Sequence, residues 1–162
     1  MAQRIIRQNG DEVLRRKAAA VRKITPGIRV LLNDMAETMY AADGVGLAAP
    51  QVGISKRLVV IDIRDEQGLL KLVNPEVVAA SGKAVAVEGC LSFPGLAGEV
   101  ERAEAVTVRA LDEEGNPVEI TADGLLARAF QHEIDHLDGI LFVDKVIRFV
   151  HEEEAEEEYE ND

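Results

Sequence analysis

At 162 residues, with 47% hydrophobic residues and no tryptophan, the chain is expected to form one domain around a substantial core. No apolar run approaches the ~20 residues of a membrane span, and the opening MAQRIIRQNGDEVLRR lacks the apolar stretch of a secretory signal and carries acid too early for a transit peptide. The net charge of -12 argues against general nucleic-acid binding, while a single cysteine excludes an internal disulfide and fits a reducing cytoplasm.

Thr25-Pro26 begins the first predicted helix, because Thr can cap and Pro suits the first helical position. Ile28, Leu31, Leu32, Met35 and Met39 then recur at helical spacing, and Gly44 is the expected stop. GVGLAAPQVG follows, with too much glycine and proline for a regular element. RLVVIDI and LLKLVNP flank DEQG and predict a hairpin; VTVRALD and PVEITA flank EEGN and predict another. Short strand-like pieces lie between, around Val77, Val85 and Val100. Asp123 is the predicted cap of a second helix from about Gly124 to Leu137, with Gly139 as its stop. Residues Glu152 to Asp162 hold eight acids and no base, so the remainder carries 22 acids against 18 bases. The expectation is an α+β domain over residues 1–149, with short, mostly antiparallel strands around a central helix and a second long N-terminal helix. Residues 150–162 are expected to be an acidic, disordered tail.

The second helix carries QHEIDHLDG, with two of the three histidines. His132 and His136 are one turn apart and project together, so both imidazoles can bind one metal ion. Glu133 is poorly placed as a ligand but close enough to act on a water beside the metal, the HExxH arrangement. The alternative is a pair of core histidines satisfied by hydrogen bonds. A catalytic ion needs a third protein ligand and an open position. Downstream, His151 sits against the acidic run and is expected at the surface. Upstream, Cys90 lies in VEGCLSFPG, between a glycine and a Ser-Phe-Pro-Gly turn, at a strand end or loop. Taken alone it fits a small buried hydrophobe; beside two histidines it completes a zinc or iron type of ligand set. Gly44 to Gln51 lacks the ending of a phosphate loop. Its small residues allow another chain to approach closely, or simply pack a turn, and Gln51 offers an amide donor nearby.

GVGLAAPQ, EGCLS and QHEIDHLDG, in this order, resemble the three signature motifs of the peptide deformylase family, and the resemblance runs from about Ile5 to about Val146. It implies a metal-dependent amidohydrolase that removes formyl from the N-formylmethionine of new bacterial proteins and releases formate. It also implies Fe(II), replaceable by zinc or nickel, held by Cys90, His132 and His136, with Glu133 as general base. The Leu91 N–H and the Gln51 amide are implied oxyanion donors. Gly46 and Gly89 are implied to bind the peptide main chain, and Val45, Leu125, Ala129 and the His132 ring to form the methionine pocket. Glu88 and Asp135 are expected to orient ligands or loops, or else to pair with Arg102. Apart from its terminal Arg102, the segment GLAGEVER after Pro94 lacks the arginine that some members carry there, and Arg128 and Phe130 stand where smaller or aliphatic residues can occur. Nascent formylmethionyl chains are the implied partner, with ribosome contact transient at most, no specific nucleic acid and no membrane. The rival readings are an HExxH metallopeptidase, which would take His or Glu as third ligand, and a non-catalytic metal-binding protein.

Overall fold

The computed structural model describes residues 2–150, so His151 and the rest of the predicted tail lie outside the described residues. The element order is α1 (Pro26–Ala41), β1 (Gly46–Ala48), β2 (Leu58–Ile61), β3 (Leu70–Ser81), β4 (Ala84–Gly89), β5 (Ala97–Arg102), β6 (Ala105–Leu111), β7 (Pro117–Asp123), α2 (Gly124–Leu137) and β8 (Val146–Val150). The fold is α+β, with every strand pair of its two sheets antiparallel. One sheet has the order β1-β2-β3-β6-β7 and the other β4-β5-β8. β8 ends at Val150, one residue past the expected end of the body.

The five-stranded sheet lies between the two helices, and β2 shows how. Val59 and Ile61 join the apolar cluster that holds Leu126, Phe130 and Leu137 of α2. Leu58 and Val60 join the cluster of Leu32, Met35 and Met39 of α1. A strand buried on both faces reads as a continuous apolar run, hence LVVI. Phe130 is fully buried in the α2 cluster, which accounts for its place on the helix.

Thr25 caps α1 as expected, its hydroxyl accepting from the Ile28 N–H at 3.2 Å. The stop falls earlier than Gly44. Asp43 takes the left-handed turn at φ 56°, and the Asp43 and Gly44 N–H groups close on Tyr40 and Met39 carbonyls. Asp123 sits at the N-cap of α2 but its side chain makes no cap hydrogen bond, because β7 runs directly into the helix. The piece around Val77 is not a separate strand. It continues β3 beyond Pro75, across a register shift between Val73 and Glu76.

Residues 2–19 form an arm laid across the elements that carry the three motifs. The Arg7 N–H donates to the Gln51 carbonyl at 2.6 Å, the Asn9 N–H to the Ser92 carbonyl at 2.9 Å and the Ala18 N–H to the Leu137 carbonyl at 2.8 Å.

Candidate metal centre and its cavity

α2 presents His132 and His136 one turn apart, both buried, with ring centroids 5.1 Å from each other. The helix stops as predicted. Gly139 is left-handed at φ 74°, and the Gly139 and Ile140 N–H groups close on His136 and Asp135 carbonyls. A Cβ at Gly139 would come within 2.5 Å of the Arg15 carbonyl, so glycine is needed for space as well as conformation. Arg57 donates to the Leu137 carbonyl at 3.0 Å, a cation at the negative end of the helix.

Cys90 sits in the turn directly after β4. Its Sγ is 3.4 Å from His136 Nε2, and one donor atom from each of Cys90, His132 and His136 lies within 4.8 Å of the others. A tetrahedral ion at ~2.0–2.3 Å from each ligand would draw such atoms to roughly 3.3–3.6 Å apart, so the set fits a metal after a small contraction. His132 Nδ1 lies 2.9 Å from Glu88 Oε1. With Glu88 ionised, Nδ1 carries the proton and Nε2 is left with its lone pair for a metal. Burial alone would raise the Glu88 pKa; hydrogen bonds from His132 and Arg102 outweigh it and hold the carboxyl well below the usual range.

In the chain without a cation the two imidazoles differ. Burial opposes a charge on His132, yet Glu133, Cys90 and Glu88 outweigh it and raise its pKa well above the ordinary value. Burial, with His132 and Arg102, pushes His136 well below. A cation binding here would therefore displace protons, as metal sites commonly require. Glu133 Oε1 and His136 Nδ1 are buried without a hydrogen-bond partner among the described residues.

The centre opens into a cavity of about 520 Å³. Cys90, His132 and Glu133 lie on its wall, with Gln51 and Leu91 beside them. Val45 and Leu125 are partly exposed at its edge, Ala129 is buried, and Gly46 and Gly89 complete the predicted set. His136 lies behind, reached through Cys90. Gly46 has a specific role. A Cβ there would stand 2.5 Å from Glu133 Oε2 and 2.9 Å from its Cγ, so only glycine leaves room for the carboxylate.

Gln51 is more engaged than the sequence suggests. Its Oε1 accepts from the Ala48 N–H at 2.9 Å, while Nε2 donates to Ser92 Oγ at 3.1 Å and approaches Cys90 Sγ at 3.5 Å. Asp135 touches none of the three donors; it pairs with Arg102 and Lys145, both at 2.9 Å. Glu88 does both things expected of it, orienting His132 and pairing with Arg102. Sequence reasoning gave no role to Arg128, which lines the cavity and donates to Glu88 Oε2 at 2.6 Å. Its signal was present, since position 128 is four residues before His132 and shares its helical face.

A Cys/His/His donor set with both histidines buried, an adjacent glutamate and an open cavity define a metallohydrolase type of site on an α+β fold. The family model for polypeptide deformylase matches residues 3–152. The peptide deformylase of Acetivibrio thermocellus is 58% identical over 161 residues, covering 99% of this chain and 94% of that one. That of Caldanaerobacter subterraneus subsp. tengcongensis is 60% identical over 156 residues, covering 96% and 97%. The crystal structure of the Thermotoga maritima peptide deformylase superposes with a TM-score of 0.86 at 44% identity, covering 89% of this chain and 97% of that one. The chain belongs to the peptide deformylase family, metal-dependent hydrolases that remove the N-formyl group from nascent peptides. Among the described residues no helix is long and apolar enough to cross a membrane.

Proposed function

We propose that this chain deformylates N-formylmethionyl nascent polypeptides in the cytoplasm with Fe(II) held by Cys90, His132 and His136, and with Glu133 as general base. The observation that carries the reading is the convergence of three donor atoms within 4.8 Å of one another, two of them, on Cys90 and His132, at a cavity wall that also bears Glu133 and Gln51. When bound, the divalent cation supplies Lewis acidity, polarising the formyl carbonyl and acidifying water near neutral pH. Burial pushes Glu133 up to about 7, against the pull of His132 and Arg102. A carboxyl so placed can take a proton from the attacking water and return it to the leaving amine. β1 and β4 are edge strands of their sheets, and Gly46 and Gly89 are terminal residues in them. A peptide can therefore lie between the two edges and bond its main chain to both. Val45, Leu125, Ala129 and the His132 ring supply the apolar contact for methionine. The formyl carbon bears only hydrogen, so a narrow site can admit it and exclude acetyl.

The test is formate release from a formylmethionyl peptide by anaerobically purified, iron-loaded protein, beside the unformylated peptide. Formate release with the second peptide uncut supports the reading; cleavage of the unformylated peptide supports a metallopeptidase. Cys90 as third donor already favours the former, and the described residues offer no fourth donor to close the site. Zinc or nickel is expected to support turnover in place of iron. The iron form should lose activity fastest in air, since Fe(II) and the thiolate are both open to oxidation. Equal decay of iron, nickel and zinc forms under oxygen would contradict the iron assignment.

Gln51 and the Leu91 N–H are the proposed donors to the oxyanion. Gln51 can serve by exchanging its long contact with Cys90 Sγ for the substrate oxygen while Ser92 and Ala48 hold the amide in place. Gln51→Ala is expected to lower kcat by ~10²–10³, the usual cost of one such donor. A change confined to KM would make the contact a ground-state one. The acidic segment 150–162 takes no part in this chemistry, and its charge disfavours lasting contact with ribosomal RNA phosphate.

A further inference from the structure

We propose that Arg128 is a positioning residue that sets the spacing between the two histidines of α2 and the cysteine after β4. The inference rests on Cys90, His132 and His136 forming one metal site. Those three donors stand on separate parts of the fold. α2 packs Leu126, Phe130 and Ile134 into the cluster of the five-stranded sheet, which includes no residue of β4, β5 or β8. Cys90 instead packs against a different cluster, with Phe93, Val100 and Phe142. Apolar packing therefore fixes each half of the site within its own layer. Their spacing is left to a few direct links, among them the stack of His132 on Phe142 and the charged crossings between α2 and the small sheet.

Arg128 makes the most extensive of those crossings. One guanidinium nitrogen donates to Glu88 Oε2 at 2.6 Å and to the Val100 carbonyl at 3.0 Å; another donates to the Ala84 carbonyl at 2.9 Å. A single side chain on α2 thus grips β4 at two points and β5 at one. The rigid fork of arginine meets three fixed acceptors in a way a lysine ammonium cannot. Glu88, gripped through Oε2, turns Oε1 to His132 Nδ1. Releasing Arg128 therefore frees the group that orients His132 and loosens the helix from the sheet that carries Cys90. Arg102 would still pair with Glu88, so the carboxylate is not left buried without a partner and the fold is expected to survive.

The test titrates Co²⁺ into the metal-free full chain, comparing wild type with Arg128→Met and Arg128→Lys. Affinity is read by chelator competition, ligand geometry by the d–d absorption bands, and folding by cooperative melting. The wild-type chain should show a thiolate-to-cobalt band. Arg128→Met should fold, bind Co²⁺ ~10–100-fold more weakly and show displaced d–d bands, as loss of an outer orienting contact does elsewhere. Arg128→Lys, keeping the charge but not the fork, should fall between. A merely stabilising arginine would lower the melting temperature and leave affinity and bands unmoved, and that result overturns the proposal. If the methionine variant does not fold, wild-type affinity and bands in Arg128→Lys overturn it equally. A wild-type chain that gives no thiolate band fails the metal-site reading itself, and the inference with it.

Discussion

Replacing Glu133 by Ala is expected to lower turnover by ~10²–10⁴, the usual contribution of a positioned proton-transfer group. Metal content should not change, because Glu133 is absent from the converging donor set. Replacing Cys90, His132 or His136 should instead remove both metal and turnover. Formate release measured beside metal content per chain separates the two behaviours. A Glu133 variant that keeps near-normal turnover with metal bound would sink the proposed base. Stability should move the other way. Burial raises the Glu133 pKa from 4.5 to about 7, so the folded chain holds a proton more readily than the unfolded one. The cost of burying this carboxylate in the metal-free chain accordingly grows as pH rises from about 4.5 to about 7, and is full above that. Metal-free Glu133→Gln should therefore melt above wild type at pH 8, with the gap closing toward pH 4. A gap that is constant with pH would show that Glu133 does not titrate in that window.

Gly46→Ala is expected to lower kcat by ~10², the scale of loss from a misplacement of about 1 Å at a reacting group. The added Cβ would meet Glu133 at 2.5 Å from Oε2, 2.9 Å from Cγ and 3.0 Å from Cδ. The strand cannot yield easily, since Gly46 is paired with Ile61 of β2 inside a buried sheet. The glutamate can yield, by rotating away. The melting temperature should therefore change little while turnover falls, a combination that separates displacement of the base from damage to the fold. Loss of cooperative melting, or unchanged kcat, would contradict the assigned contact.

Helix α2 was legible in sequence because its signals agree. The apolar period, the His-to-His spacing and the glycine stop all fall within Gly124–Gly139, and the structure places α2 over Gly124–Leu137. Both hairpins were legible for a similar reason, as turn residues interrupt apolar runs of matching length. The long β3 was not. Pro75 cannot donate to a ladder, so LVNP reads as an end, whereas a bulge carries the strand through to Ser81. Asn74 sustains that bulge at φ 52°, with its side chain bonded to both backbone groups of Val21, a partner no local pattern announces. The donor set could be proposed from residue types, but the grip of Arg128 depends on carbonyls of two strands far away in sequence. Charge on a helix reads as solvated until those acceptors are known.

The N-terminal arm bears on how the molecule is made. Its acceptors include the carbonyls of Gln51, Ser92 and Leu137, and Arg15 pairs with Asp144, 129 residues away. Some of its bonds reach only to Asp34, Thr38 and Gln51, but the set is complete only once Leu137 and Asp144 are in place. Closing contacts over such separations is slow and carries a large entropic cost until the intervening layers have formed. The arm thus closes over long separations, tying residues 2–19 to the end of the helix that carries both histidines and to Asp144 beyond it.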